Sequence, residues 1–349
     1  MKILERAPNW VGDAVMCLPA LEAIRTRHPE AEITVLARPW VIDLFRGQGI
    51  ADKFIVYDRK NQHSGFWGRE KLARDLKRER YDVAILFQNA FDAAWLAWRA
   101  HIPERIGYRR DARGILLTKS IATPKPGETP SHESFYYLEL LRRADWIEKL
   151  EPLQRIVLRV DEPARSAAEK QLAAAAGKSG SLRLAIAAGA AYGSAKCWLP
   201  DRYAAVADRF IDEFAGDVIL FGASAETEVG ERIAAAMRHR PLNLVGKTSI
   251  AELPALLNAC HLFIGNDSGA MHVAGAVGLR VVGIFGSSDP QGTSPMTPDF
   301  RLVRHEVECS PCFLRTCPID HRCMTRIEVS DVWLAAESWA HELAGGKIA

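Results

Sequence analysis

The sequence predicts an α/β protein made of two doubly wound parallel sheets, and three observations predict it. Apolar runs of strand length alternate with amphipathic helical stretches in both halves of the chain, the pattern that puts helices on both faces of a parallel sheet. The stretch Asn266–Pro290 reads N-D-S-G-A-M-H-V-A-G-A-V-G-L-R-V-V-G-I-F-G-S-S-D-P: with the run His261–Gly265 before it, this is strand, tight turn, slim helix and second strand, hence a right-handed crossover. At 349 residues, with 48% hydrophobic and 25% charged residues, the chain is comfortable for two globular domains.

Taken in order, Lys2–Ala7 reads as a first strand, Asn9–Asp13 as a turn and Ala14–Arg27 as a helix with apolar residues at helical spacing. Glu32–Ala37, Phe54–Tyr57, Asp82–Phe87 and Arg105–Tyr108 follow as strands, with helices at Trp40–Arg46, Gly68–Arg80 and Ala90–Ala100. The Pro- and Gly-rich stretch Thr123–Ser131 is an exposed loop before a long helix, His132–Trp146. Pro152–Val160 leads to a linker around Val160–Pro163, and an Ala-rich helix, Ala164–Ala176, ends in Gly177–Ser181. A second alternating set has strands at Leu182–Ala188, Asp217–Phe221, Asn243–Val245, Leu262–Gly265 and Val281–Phe285, with helices at Asp201–Phe214, Glu226–Met237 and Ala251–Cys260. The expected domains are therefore 1–160 and 161–328. The closing stretch 329–349 contains a helix, Val329–Leu343, expected to cross back to the first half.

Composition removes several function classes. A formal net charge of +2 does not suit a strongly basic nucleic-acid binder. No apolar run approaches a membrane span. Glu5 and Arg6 interrupt any signal-peptide core, so a cytoplasmic location is expected. Of seven cysteines, Cys17, Cys197 and Cys260 are scattered, which does not suit a secreted disulfide framework.

Chemistry is expected where strands hand over to helices. Asp267 and Ser268 can cap a helix starting near Gly269, and its unpaired N–H groups make an anion site. Gly269 leaves the backbone open to a phosphate, and His272 lies one turn on from Ser268. Asp, Ser, Gly and His at one helix mouth suit a diphosphate or sugar better than an ordinary cap. Asp13 follows the first strand and is either a general base for a sugar hydroxyl or an N-cap for the helix at Ala14. In G-A-A-Y-G-S-A-K-C-W, Gly189–Trp198, small residues leave room for a ligand and Lys196 can neutralise a phosphate. The spacing is not that of a Walker A loop. Glu226 is either a ribose ligand or an acid favoured at a helix N-terminus. Thr248 and Ser249 are candidates for lining a base pocket. The basic run Arg99–Lys119, with Arg105, Arg109, Arg110 and Arg113, is either a solvated face or a site for acidic sugars or lipid phosphates. Cys309, Cys312, Cys317 and Cys323, with His321, form either a structural metal loop or a reduced, metal-free loop.

Assembled, these motifs resemble the ADP-heptose:lipopolysaccharide heptosyltransferases (glycosyltransferase family 9), and within them the heptosyltransferase II branch. P-N-W-V-G-D, N-D-S-G-A-M-H-V-A-G-A-V-G with G-I-F-G-S-S-D-P, and the Gly189–Trp198 loop carry the likeness, which runs nearly end to end. The resemblance implies a GT-B fold, two Rossmann-like domains facing across a cleft. It implies inverting transfer of L-glycero-D-manno-heptose from ADP-heptose to heptosyl-Kdo2-lipid A, with no cofactor and no catalytic metal, in peripheral contact with the inner face of the inner membrane. It makes Asp13 the general base and Lys196, Glu226, Thr248, Asp267, Ser268, Gly269 and His272 the donor ligands. Asn9, Arg105, Arg109, Arg110 and Arg113 become candidates for the acceptor. A related glycosyltransferase with another donor or acceptor stays open. A nicotinamide-dependent oxidoreductase would need a G-x-G-x-x-G after a strand, and none is present. A metal or redox module built on Cys309–Cys323 is the remaining alternative.

Overall fold

Continuous apolar runs become the central strands. In the computed structural model, which describes residues 1–176 and 181–345, Val83–Leu86, Arg183–Ala187 and Leu262–Asn266 are buried at every residue, as strands covered on both faces must be. The chain divides into two units, with the boundary between Leu153 and Gln154.

The first unit runs β1 (Lys2–Arg6), α1 (Val11–Arg27), β2 (Glu32–Ala37), α2 (Pro39–Phe45), β3 (Lys53–Val56), α3 (Gly65–Glu79), β4 (Val83–Leu86), α4 (Phe91–Arg99), β5 (Glu104–Tyr108), β6 (Lys119–Ile121) and α5 (Glu133–Arg143). Its sheet is parallel, in the order β3-β2-β1-β4-β5-β6.

The second unit runs α6 (Glu162–Ala176), β7 (Arg183–Ala187), α7 (Pro200–Phe214), β8 (Asp217–Leu220), α8 (Thr227–Ala236), β9 (Leu242–Asn243), α9 (Leu253–Asn258), β10 (Leu262–Asn266), α10 (Gly269–Ala276), β11 (Arg280–Ile284), α11 (Pro290–Thr293), β12 (Phe300–Val303), α12 (Arg322–Thr325) and α13 (Val329–Gly345). Its parallel order, β12-β11-β10-β7-β8-β9, is the same winding traced from the opposite edge. Each sheet reverses direction beside its first strand, at β1/β4 and β7/β10. In such sheets ligands sit beyond the carboxyl ends of the strands at that point.

Four expectations change. The boundary falls before Pro152–Val160 has run its course, because Ile156 and Leu158 bond through their N–H groups to Met296 O (3.0 Å) and Ala276 O (2.9 Å) of the second unit. The closing helix, expected to stand apart from the second domain, is part of the second unit. Val332, Trp333, Ala336, Trp339 and Ala340 of α13 are buried in the core formed by β7, β10, β11 and α7. Trp333 stacks on Phe214, and Arg301 lies 3.8 Å over Trp339. The first helix starts at Val11, three residues before Ala14. Each sheet also carries a short strand the sequence did not announce, β6 and β12, both at an edge. Of the expected helix end at Gly177–Ser181, residues 177–180 lie outside the described residues.

Candidate active site

In the second unit the site is built from the ends of β7 and β10. Asn266 closes β10 with a fully buried side chain. Its Oδ1 accepts from the Trp198 N–H (3.0 Å) and the Tyr203 hydroxyl (2.8 Å), and its Nδ2 donates to Ala188 O (2.5 Å). One amide thus fixes the loop after β7 against the end of β10. The next residue, Asp267, is 4% exposed. Its Oδ2 accepts from Lys196 Nζ at 2.5 Å, Ser288 Oγ at 2.6 Å and Thr293 Oγ1 at 3.4 Å, while Oδ1 lies 4.0 Å from His272 Nε2. Lys196 from one motif and Asp267 and His272 from another therefore meet at the mouth of α10.

Ser268 is the N-cap of α10, yet its side chain caps nothing. Its Oγ is buried without a hydrogen-bond partner. The N–H groups of the first turn, starting at Gly269, have no partner within the helix. A cation, a histidine, an idle hydroxyl and a helix dipole converge on one spot, which suits a diphosphate. Lys196 is also held 5.2 Å over the Tyr192 ring, and Arg315 lies 5.0 Å over the same ring.

Glu226 stands just before α8, where Oε2 accepts from the Ala223 N–H at 2.7 Å. It is thus both a helix-start acid and a neighbour of the Gly189–Trp198 loop: a Cβ on Gly189 would overlap its carboxylate. Burial pushes this carboxyl above its ordinary value, against the pull of the Ala223 N–H. Thr248 is half-buried after β9, the outer strand on that side, and among the described residues no hydrogen bond joins it to the Asp267 cluster.

In the first unit, Asp13 is not an N-cap. Trp10 holds that position, and Asp13 is the third residue of α1, half-buried in its first turn. The preceding turn is organised by Arg6, a buried side chain that donates to Ala7 O (2.5 Å), Leu36 O (3.3 Å) and Asn9 Oδ1 (2.9 Å). Asn9 also accepts from Trp40 Nε1 through its carbonyl (2.8 Å), so its polar groups shape the turn. A second carboxylate, Glu133 at the start of α5, went unnoticed in the sequence. Burial and the charge of Asp13 push its carboxyl up to about 7, against the pull of Arg110. An acid opening a helix is too common a pattern to have signalled it.

The basic run does not form one face. Arg109 and Arg110 are exposed beyond β5, where ligands are expected, and Arg110 hydrogen-bonds Tyr136. Arg113 is fully buried and donates to Tyr108 O (2.9 Å), Asn89 Oδ1 (2.8 Å) and Gln88 O, so it holds the loop and does not reach an acceptor. Arg105 sits at the opposite end of β5 and is spent on Ile102 O (2.5 Å) and Leu116 O (2.7 Å). Both leave the acceptor candidates.

The cysteine segment lies against the Gly189–Trp198 loop. Cys312 and Phe313 donate through N–H to Ser287 O (3.1 and 2.8 Å), Tyr192 donates to Phe313 O (2.8 Å), and Ala195 donates to Arg315 O (3.0 Å). His321 Nε2 lies 3.0 Å from Ala195 O. All four thiols are free, and among the described residues no three of them gather closely enough to share one ion. Cys323 is pushed up to about 11 by burial and by the other three sulfurs.

Residues 69–322 match glycosyltransferase family 9 (heptosyltransferase). The chain is 31% identical over 312 residues to lipopolysaccharide heptosyltransferase 2 of Escherichia coli K12, covering 87% of this chain and 88% of that protein. It is 30% identical over 318 residues to lipooligosaccharide heptosyltransferase 2 of Haemophilus influenzae, with the same coverage of 87% and 88%. The structure of E. coli ADP-heptose lps heptosyltransferase II aligns over 98% of this chain and 99% of that one, at 29% identity and a TM-score of 0.81, which makes the two Rossmann-like units a GT-B fold. On the sequence match and the fold together, this chain belongs to glycosyltransferase family 9, the heptosyltransferases.

Proposed function

We propose that the protein is an inverting heptosyltransferase that moves L-glycero-D-manno-heptose from ADP-heptose to the heptosyl-Kdo2-lipid A inner core of lipopolysaccharide. The observation that carries this reading is the Lys196–Asp267–Ser288 cluster at the mouth of α10, beside the unpartnered Ser268 hydroxyl. It offers positive charge and free donors for a leaving diphosphate and a carboxylate for sugar hydroxyls.

In this mechanism the acceptor hydroxyl oxygen attacks the anomeric carbon of the donor. Its proton passes to Asp13 while the bond from that carbon to the diphosphate oxygen breaks. Lys196, His272 and the N–H groups at Gly269 stabilise the negative charge that builds on the departing ADP. Asp267 orients Lys196 and accepts from heptose hydroxyls, and Glu226 accepts from ribose, with Thr248 lining the base side. Arg109 and Arg110 draw in the acidic groups of the acceptor. Because that acceptor is lipid-linked, the enzyme works at the cytoplasmic face of the inner membrane. Arg109 and Arg110, with the exposed aromatics Phe66 and Trp67, supply the contact.

The test is ADP release from ADP-heptose with heptosyl-Kdo2-lipid A as acceptor, in wild type and Asp13→Asn. Acceptor-dependent release that falls by roughly 10²-fold or more in the variant, with donor affinity kept, supports transfer and the base. Full activity in the variant would remove Asp13 from that role.

A further inference from the structure

The cysteine segment carries a cation to the Lys196 loop for which the proposed reaction has no stated use. The backbone around that cation, Arg315, is pinned. Cys312 and Phe313 donate through N–H to Ser287 O (3.1 and 2.8 Å), and Tyr192 donates to Phe313 O (2.8 Å). Phe313 is held in the left-handed region, at a φ of 55°, a conformation that persists only where the surroundings impose it. Arg315 O accepts from the N–H of Ala195, the neighbour of Lys196, at 3.0 Å, and a Cβ on Gly193 would overlap the same carbonyl. The main chain of Arg315 is therefore packed into the loop that carries Lys196.

Its side chain is not tied in the same way. Arg315 is exposed, and its guanidinium lies 5.0 Å over the Tyr192 ring with no hydrogen bond or ion pair among the described residues. Lys196 Nζ lies 5.2 Å over that same ring, so one tyrosine gathers both cations. The next arginine of the segment shows the contrast: Arg322 is spent on Asp320 (3.0 Å) and Glu308 (3.5 Å).

Charge balance gives this free guanidinium a use. Asp267 accepts from Lys196 at 2.5 Å and offsets its charge. The mouth of α10 adds only about half a positive charge. A diphosphate carries a negative charge on each phosphate, and departing ADP gains one more as the bond to the sugar breaks, so the cluster alone leaves that charge largely uncompensated. A guanidinium stacks through its face and donates through its edge, so it can stay on Tyr192 while its N–H groups meet phosphate oxygens. We propose that Arg315 is a ligand of the donor diphosphate, with the Tyr192 ring as the platform that holds it beside Lys196. This rests on the reading of the α10 mouth as the diphosphate site.

The experiment is calorimetric titration of the full chain with ADP and with adenosine, which lacks the phosphates, for wild type, Arg315→Ala and Arg315→Lys. Wild type binds ADP more tightly than adenosine. Arg315→Ala weakens ADP by about 10-fold or more and adenosine by less than about threefold. Arg315→Lys, which keeps the charge but not the planar fork, recovers part of the loss. The ligand-free variants melt within about 3 °C of wild type, because the guanidinium makes no hydrogen bond that the fold needs. Unchanged ADP affinity in Arg315→Ala overturns the inference and leaves Arg315 as a surface cation resting on a tyrosine. An equal loss of ADP and adenosine, or a much lower melting temperature, overturns it in favour of a structural role in the loop. Failure of wild type to prefer ADP over adenosine sinks the diphosphate site itself, and the inference with it.

Discussion

Gly189 and Gly193 lie four residues apart in the loop that carries Lys196, and a methyl group meets a different obstacle at each. At Gly189 it overlaps the carboxylate of Glu226, the free end of a flexible side chain. At Gly193 it overlaps the carbonyl of Arg315, which is backbone and cannot turn aside. Gly189→Ala should therefore fold normally and weaken donor binding, by about 10-fold or more if Glu226 holds the ribose through charged hydrogen bonds. Gly193→Ala should lower the melting temperature as well, because the loop must part from the cysteine segment. Calorimetry and ADP-heptose titration check both. Glu133 gives a prediction of opposite sign. Its carboxyl moves from an ordinary value near 4.5 in the unfolded chain to about 7 in the folded one. Between those values the folded state binds the extra proton, so stability falls as pH rises through this window. Glu133→Gln lacks that dependence and should be more stable than wild type at pH 8, by about 2 kcal/mol, with little difference at pH 4. Urea unfolding at the two pH values measures it, and equal gains at both would assign the effect to packing instead.

At the scale of elements, the cysteine segment acts as a brace on the loop that carries Lys196. Backbone bonds from Cys312, Phe313 and Ala195, with the Tyr192 hydroxyl and the His321 ring, tie it to the two loops that meet at Asp267. His321→Ala removes one tie of ordinary strength, about 0.5–1.5 kcal/mol. It should raise KM for ADP-heptose by roughly 2- to 10-fold with kcat nearly unchanged. A fall in kcat with KM unaltered would mean that His321 acts on the chemical step. The legibility of elements followed burial. The central strands β2, β4, β7 and β10 were read from their apolar runs to within a residue or two, because both faces are covered. The strands β6 and β12 read K-S-I and F-R-L-V, with exposed positions that break the apolar run. An edge strand needs no continuous apolar pattern, so nothing announced them. The start of α1 was missed for another reason. Gly12 and Asp13 look like turn residues, yet an acid is favoured in a first helical turn and Gly12 is tolerated so near the end.

For the molecule as a whole, the cluster proposed for the donor was more legible than the residues proposed for the acceptor. Lys196, Asp267 and His272 come from two motifs that each follow a buried strand, and the winding of the sheet brings such strand ends together. The basic run has no such guide. Consecutive arginines around a short strand point in different directions, so Arg113 went inward, Arg105 to the far end and only Arg109 and Arg110 outward. This sorting changes how membrane contact must be tested. Reversing the charge of Arg113 would bury an acid and unfold the loop, so only Arg109 and Arg110 belong in the variant. Each basic residue near an anionic surface contributes about 1 kcal/mol, an effect that fades within a Debye length. Arg109→Glu/Arg110→Glu should then bind vesicles of anionic lipid about tenfold or more weakly than wild type at low salt, with the difference shrinking at 0.5 M salt. Phe66 and Trp67, 53% and 77% exposed at the start of α3, offer an apolar contact that salt does not screen. Phe66→Ala/Trp67→Ala should lower binding at both salt concentrations, and to neutral vesicles too. Cosedimentation of both variants with each vesicle type reads out the two contributions. Unchanged binding in the charge-reversal variant would place the lipid contact elsewhere on the surface and leave Arg109 and Arg110 with the soluble part of the acceptor.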